Sequence, residues 1–369
     1  MYDSRSKIIV FIIVLCLILS LFTIFISSES APSVSAKAAA LYQPDTDSFL
    51  YLKNADERLP MASTTKIMTA LLSLEELDLK GNIVIDERAV GIEGSSIYLK
   101  SGEIINALDL IYAVMLQSAN DAAAALAYKI SGSIEAFAEL MNDRAKKIGL
   151  KNTNFTNPHG LDNKDHYTTA RDLALLTAEA YKNSDFKAVA STYKKEIESS
   201  DKTRILVNHN KLLKSYDGCI GGKTGYTKKS GRCLASAAER DKLTFICTTI
   251  DAPDDWCDHT EMLDYGYSLL EARQLAYIGE FKFTIPVING EDTELSVLNT
   301  DETIKIFNKN DDSIETEIRL PRYVVAPIKE GDVLGKVIFT KQGNKIAEID
   351  LTAKSGINEE KSKRKFLFF

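Results

Sequence analysis

Three short polar motifs, set in a fixed order along 369 residues, constrain this chain more than anything else in it. The first is Ser63-Thr64-Thr65-Lys66, which opens a helical pattern. Residues three apart share a helix face, so Lys66 aims its amine back at the Ser63 hydroxyl. A serine attacks a carbonyl at neutral pH only with a base beside it. A lysine amine serves once burial or a nearby cation lowers its pKa. The second motif is Ser118-Ala119-Asn120, just ahead of an Ala-rich helix. It offers a hydroxyl to relay a proton and an amide to hold the substrate or the lysine. The third is Lys223-Thr224-Gly225, followed by Tyr226. The lysine adds positive charge and the threonine can grip a carboxylate. The glycine lets a substrate backbone lie close to a strand. Taken singly, each motif is weak, and Ser-x-x-Lys alone reads as a solvated helix face; together, in this order, they read as a site.

The N-terminus sets the compartment. Ile8 to Ile26 is an apolar run broken only by Cys16, Ser20 and Thr23. Arg5 and Lys7 precede it, and no Lys or Arg follows until Lys37. That asymmetry keeps the N-terminus in the cytoplasm and sends the rest across the membrane. Val34-Ser35-Ala36 supplies small residues for cleavage after Ala36. The run is also long enough for an uncleaved anchor, and both versions export the same domain. The formal net charge is −7, with no long basic stretch before the last residues, so nucleic acid is not an expected partner. Cys219, Cys233, Cys247 and Cys257 form no CxxC pair or other zinc spacing, and no metal or cofactor is expected. Cys233 and Cys247 lie on two runs joined by a turn at Arg240-Asp241-Lys242. They either bond across that hairpin or remain buried free thiols.

Periodicity gives the organisation. Ala39–Tyr42 and Phe49–Leu52 read as a hairpin about Pro44-Asp45-Thr46-Asp47. Helices are expected from Ser63, over 108–115, 121–130, 135–148 and 169–181, with a polar loop over 152–166. Strands begin near Arg204 and include 233–238 and 243–250. A helix over 261–270 closes the unit. The expected divisions are an export segment over 1–36, a catalytic domain over 37–273 and a β-rich, sandwich-like domain over 274–353. A tail over 354–369 ends in four cations and four apolar side chains from Lys361 to Phe369. That tail suits either a solvated end or the anionic outer face of a cytoplasmic membrane.

The trio is the signature of β-lactamases and penicillin-binding proteins. Within that group the chain resembles the low-molecular-mass penicillin-binding proteins of the D-alanyl-D-alanine carboxypeptidase class, from Ala38 to Tyr267 and on into the β-rich part. The resemblance rests on the three motifs with their flanks, on Asn157-Pro158-His159-Gly160-Leu161 and on Leu263-Asp264-Tyr265-Gly266-Tyr267. It implies an α+β, penicillin-recognising (β-lactamase/transpeptidase-like) domain, with an antiparallel sheet flanked by helices and a small C-terminal β domain. It implies an exported cell-wall enzyme that trims peptidoglycan pentapeptides, bears on cell shape and is acylated by β-lactams. Ser63 would be the nucleophile, Lys66 its base and Ser118 a proton shuttle. Asn120, Lys223, Thr224, Gly225 and Tyr226 would bind substrate, and the N–H groups of Ser63 and Tyr226 would form the oxyanion hole. His159 would either fix its loop or border the cleft.

Many members carry an arginine ahead of the Leu-Asp-Tyr-Gly helix. Here Asp251 to His259 holds none. Either Arg232 or another cation takes its place, or the substrate preference differs. Three rivals share some of these features. A β-lactamase would need a glutamate to hold its deacylating water, and no Glu-x-x-Leu-Asn stretch occurs; Glu179 comes late and lacks the leucine. A penicillin sensor would need more membrane spans. A D,D-endopeptidase would use the same chemistry.

Overall fold

The computed structural model describes residues 30–311 and 313–360. The apolar run 8–26 and residues 361–369 of the expected tail lie outside these residues. The start of that tail is described, and its Ile357 is buried in the C-terminal part and bridged to Ile328, so the expected boundary at 354 is corrected. Among the described residues, no helix is long and apolar enough to cross a membrane.

β1 (Ala38–Gln43) and β2 (Ser48–Lys53) form the expected hairpin. A helical block follows: Lys66–Glu76, Ala107–Leu116, Asn120–Ser131, Ile134–Ile148, Ala170–Tyr181 and Ser184–Ser191. Two small ribbons decorate it, β3 (Asn82–Val84) with β4 (Ile104–Asn106), and β5 (Lys194–Glu198) with β6 (Thr203–Val207). The chain then returns as β7 (Cys219–Thr227), β8 (Gly231–Arg240) and β9 (Leu243–Ile250). The main sheet runs β2-β1-β9-β8-β7, all antiparallel.

Alternation along these strands feeds two cores. On β1, Ala38, Ala40 and Tyr42 face the helical block, while Ala39 and Leu41 face the final helix, Asp255–Leu269. That helix lies close to the sheet at Gly266, where a Cβ would meet Phe245 and Leu41 at 3.0–3.1 Å. The same alternation decides the cysteines. Cys233 belongs to the first core and Cys247 to the second, and register sets them opposite Ile250 and Ser236. They lie on opposite faces of the sheet as free thiols, so the facing arrangement across the hairpin is corrected.

Val34 to Ala36 pack into this domain as well. The Asp258 carboxylate accepts from Ser35 N (2.6 Å), Ser35 Oγ (2.8 Å) and Ala36 N (2.9 Å). The cleavage point expected after Ala36 falls at the end of this packed segment.

The C-terminal part is all β. β10 (Leu270–Ala276) pairs with β13 (Thr303–Asn308). The six-stranded sheet has β14 (Glu315–Arg319), β16 (Val333–Lys341), β17 (Asn344–Ala353), β12 (Glu294–Leu298), β11 (Lys282–Ile288) and β15 (Val324–Val325) in that order. Its cores are separate from the two above.

Candidate active site

Ser63 stands in a 3-10 turn, Ala62–Thr65, and the α-helix begins only at Lys66. Side chains three apart eclipse each other in a 3-10 turn, which draws Lys66 against Ser63 more closely than an α-helix would. Lys66 Nζ lies 3.0 Å from Ser63 Oγ. It also donates to Asn120 Oδ1 at 2.7 Å and to the His159 carbonyl at 2.6 Å. Lys66 is fully buried. Burial, and then the charge of Lys223, push its pKa well below the ordinary lysine value; Asp121 opposes them.

Two loops hold this group. In Asn157–Leu161, Asn157 closes the turn: its Oδ1 accepts from Gly160 N (2.7 Å) and its Nδ2 donates to Leu161 O (3.0 Å). Thr69 Oγ1 donates to Pro158 O. Gly160 has φ +85°, and a Cβ there would fall 1.9 Å from the Ala62 carbonyl oxygen, so only glycine lets the loop reach the serine turn. The His159 ring is buried, and burial, then the Lys66 charge, push its pKa down to about 3. Its backbone carbonyl touches Lys66, and its ring is not among the groups lining the cleft. The second loop precedes Leu99. Asp121 accepts from Ser96 Oγ, Ile97 N and Leu99 N, and Asn120 N donates to Ser95 O. Asn120 Nδ2 donates to Glu93 O, which fixes Oδ1 as the end that faces Lys66.

β7 forms the other wall. Its motif sits beside the serine turn: a Cβ on Gly225 would lie 2.9 Å from Ser63 N. Lys223 is buried in the strand, with Nζ donating to the Thr224 carbonyl at 2.8 Å, and burial pushes its pKa down to about 7. The cleft between the walls has a volume of about 370 Å³. Ser63, Ser118, Thr224, Gly225 and Tyr226 line it, so all three motifs meet there. Ser118 has φ +58°, a region that strains a residue with a side chain.

The cleft also contains Ser95, His209, Lys211, Asp255 and Trp256, none of which the sequence singled out. They come from loops and a helix start remote from any motif. Arg232 lies on the rim; it could be read from the hairpin register, which pairs it with Tyr226. A second buried histidine was missed too. His166 Nδ1 accepts from Thr156 N (3.0 Å), so its Nε2 carries the proton toward Thr65 Oγ1 (2.7 Å), bracing the serine turn from behind. Glu179 is held by Arg144 and Lys182 and does not line the cleft.

Residues 26–254 match the family model described as D-alanyl-D-alanine carboxypeptidase, and residues 271–359 match that of the penicillin-binding protein 5 C-terminal domain. The D-alanyl-D-alanine carboxypeptidase DacF of Bacillus subtilis is 36% identical over 347 residues, covering 90% of this chain and 88% of that protein. Among solved structures, penicillin binding protein 5 from Haemophilus influenzae aligns with a TM-score of 0.65 at 26% identity, covering 89% of this chain and 99% of that one. The Streptomyces K15 DD-transpeptidase aligns with a TM-score of 0.62 at 34% identity, covering 65% and 100%.

Proposed function

Because this chain belongs to the D-alanyl-D-alanine carboxypeptidase family of serine peptidases, we propose that it removes the terminal D-alanine of peptidoglycan stem peptides through the residues gathered in the cleft. The observation that carries this reading is the set of three contacts made by Lys66. A neutral amine has two N–H groups and one lone pair. Asn120 Oδ1 and the His159 carbonyl can only accept, so they take the two N–H groups. The lone pair is left for the third neighbour, the Ser63 hydroxyl. Lys66 thereby takes the Ser63 proton as Oγ attacks the carbonyl of the penultimate D-alanine.

The resulting oxyanion takes the N–H groups of Ser63 and Tyr226, a role favoured by the close approach of β7 at Gly225. Ser118 passes a proton to the departing amine. Lys223 and Thr224 hold the terminal carboxylate. After D-alanine leaves, water enters and Lys66 serves again as base in cleaving the ester. β-Lactams acylate Ser63 by the same attack.

The enzyme works outside the cytoplasm, as the apolar N-terminal run and the location of its substrate suggest, and the basic, aromatic tail suits the outer face of the membrane. The test is to incubate the chain from Ser30 with a pentapeptide ending in D-Ala-D-Ala and with cross-linked dimers, and to weigh the products. Release of D-alanine from the pentapeptide supports the carboxypeptidase. Cleavage of the dimers alone would make it an endopeptidase instead.

A further inference from the structure

Ala62 stands directly before the nucleophile with φ +45°, in the left-handed region that strains a residue with a side chain. It is buried, and two neighbours enclose its carbonyl oxygen. Gly160 is one, so close that a Cβ there would fall 1.9 Å away. Thr65 is the other, its Oγ1 donating to Ala62 O at 2.8 Å. Behind Thr65 stands His166. Its Nε2 lies 2.7 Å from Thr65 Oγ1, and its Nδ1 accepts from Thr156 N at 3.0 Å. The Thr65 proton is committed to Ala62, so Nε2–H donates and Oγ1 accepts. Burial, and then the Lys66 charge, push the His166 pKa down to about 4, so at neutral pH the ring keeps the Nδ1 lone pair that this arrangement needs. Phe155 meets the ring edge to face, centroids 5.9 Å apart. The hydrogen bonds therefore run in one direction, from Thr156 N–H through His166 and Thr65 to the Ala62 carbonyl.

A peptide unit is planar, with its C=O and N–H pointing opposite ways. The N–H opposite the Ala62 carbonyl is that of Ser63, whose nitrogen a Cβ on Gly225 of β7 would approach to 2.9 Å. Fixing the oxygen thus fixes where the Ser63 N–H points. A hydrogen bond accepted at the oxygen also polarises the amide and strengthens its N–H as a donor. We infer that His166, acting through Thr65, is a positioning residue for the oxyanion hole: it holds the strained Ala62–Ser63 peptide so that the Ser63 N–H meets the developing oxyanion. Neither side chain lines the cleft.

The inference rests on the acyl-enzyme reading, and the two fail differently. Unmodified enzyme that forms no penicilloyl adduct on Ser63 would end that reading. The inference itself is tested on the adduct, with penicillin carrying ¹³C at its β-lactam carbonyl. In the acyl-enzyme that carbon becomes the ester carbonyl, whose infrared band lies lower the stronger the hydrogen bonds it accepts. His166→Phe and Thr65→Val break the relay at two points, the second at nearly constant volume. Both should move the band up and slow acylation about 10-fold, less than the loss of a whole oxyanion donor because the Ser63 N–H is weakened and not removed. KM for the pentapeptide should change little. His166→Gln can accept from Thr156 with Oε1 and donate to Thr65 with Nε2, and should keep the wild-type band and most of the rate. A wild-type band in both His166→Phe and Thr65→Val, whatever their rates, would reduce His166 to a packing role and overturn the inference. So would a His166→Gln band displaced as far as that of His166→Phe.

Discussion

A lysine that acts as a base must be buried deeply enough to shed its proton and held firmly enough to stay on its partner. Lys66 meets the first condition through burial and the charge of Lys223, and the second through Asn120 and the His159 carbonyl. Ser63→Ala should therefore abolish peptide cleavage, and Lys66→Ala should lose nearly as much, because the pair acts as a unit. The check is kcat on the pentapeptide; a Lys66→Ala enzyme with ordinary turnover would remove the base assignment. Lys223 makes a separate prediction about stability. Its folded pKa is lowered to about 7 from an ordinary 10.5 by burial. Between those values the unfolded chain holds a proton that the folded chain has released. Stability contributed at this position thus rises with pH across that window, by at most about 1.4 kcal/mol per pH unit. Denaturant unfolding at pH 7.5 and about pH 9.5 checks the sign: the wild type should gain relative to Lys223→Met, and a relative loss would contradict it.

At the scale of elements, close approach between loops does what no motif alone can do. Gly160 is the contact between its loop and the serine turn. Gly160→Ala should push the loop off Ala62, draw the His159 carbonyl from Lys66 and slow acylation by a fluorescent penicillin about 100-fold. Wild-type labelling would show that the contact is dispensable. The N-terminal strap is the second case. A chain beginning at Lys37 lacks the three donors to Asp258, leaving a buried carboxylate poorly paired. It should be about 1–3 kcal/mol less stable than a chain beginning at Ser30 by urea unfolding. Equal midpoints would mean the strap is ornamental.

These elements also mark what the sequence made legible. Helices with one apolar face were readable almost to the residue, as at Ala107–Leu116 and Ile134–Ile148. The final helix starts at Asp255, six residues before the periodicity suggests, because its acidic first turn carries no apolar stripe. Ser184–Ser191 was missed because it is short and caps itself through Asn183. The motif residues were visible because their chemistry forces their types. His209, Lys211 and Trp256 were not, since only the packing of distant loops brings them to the cleft.

For the whole molecule, the main sheet joins two jobs. Its strands separate two cores, and its edge strand β7 supplies one wall of the cleft. The C-terminal β part has its own cores and contributes none of the cleft lining. The central claim is that the sheet edge, the serine turn and the buried lysine form an acyl-enzyme site without a deacylating glutamate. Peptide cleavage releases D-alanine and opens a path for water, whereas the leaving amine of penicillin stays tethered to the acyl group and obstructs it. Intact-protein mass spectrometry after stoichiometric penicillin tests this most directly. The account predicts one penicilloyl adduct, mapped to Ser63, lasting minutes or more while the pentapeptide continues to turn over in untreated enzyme. An adduct on another residue, or one gone within seconds as many equivalents of penicillin are hydrolysed, would contradict it.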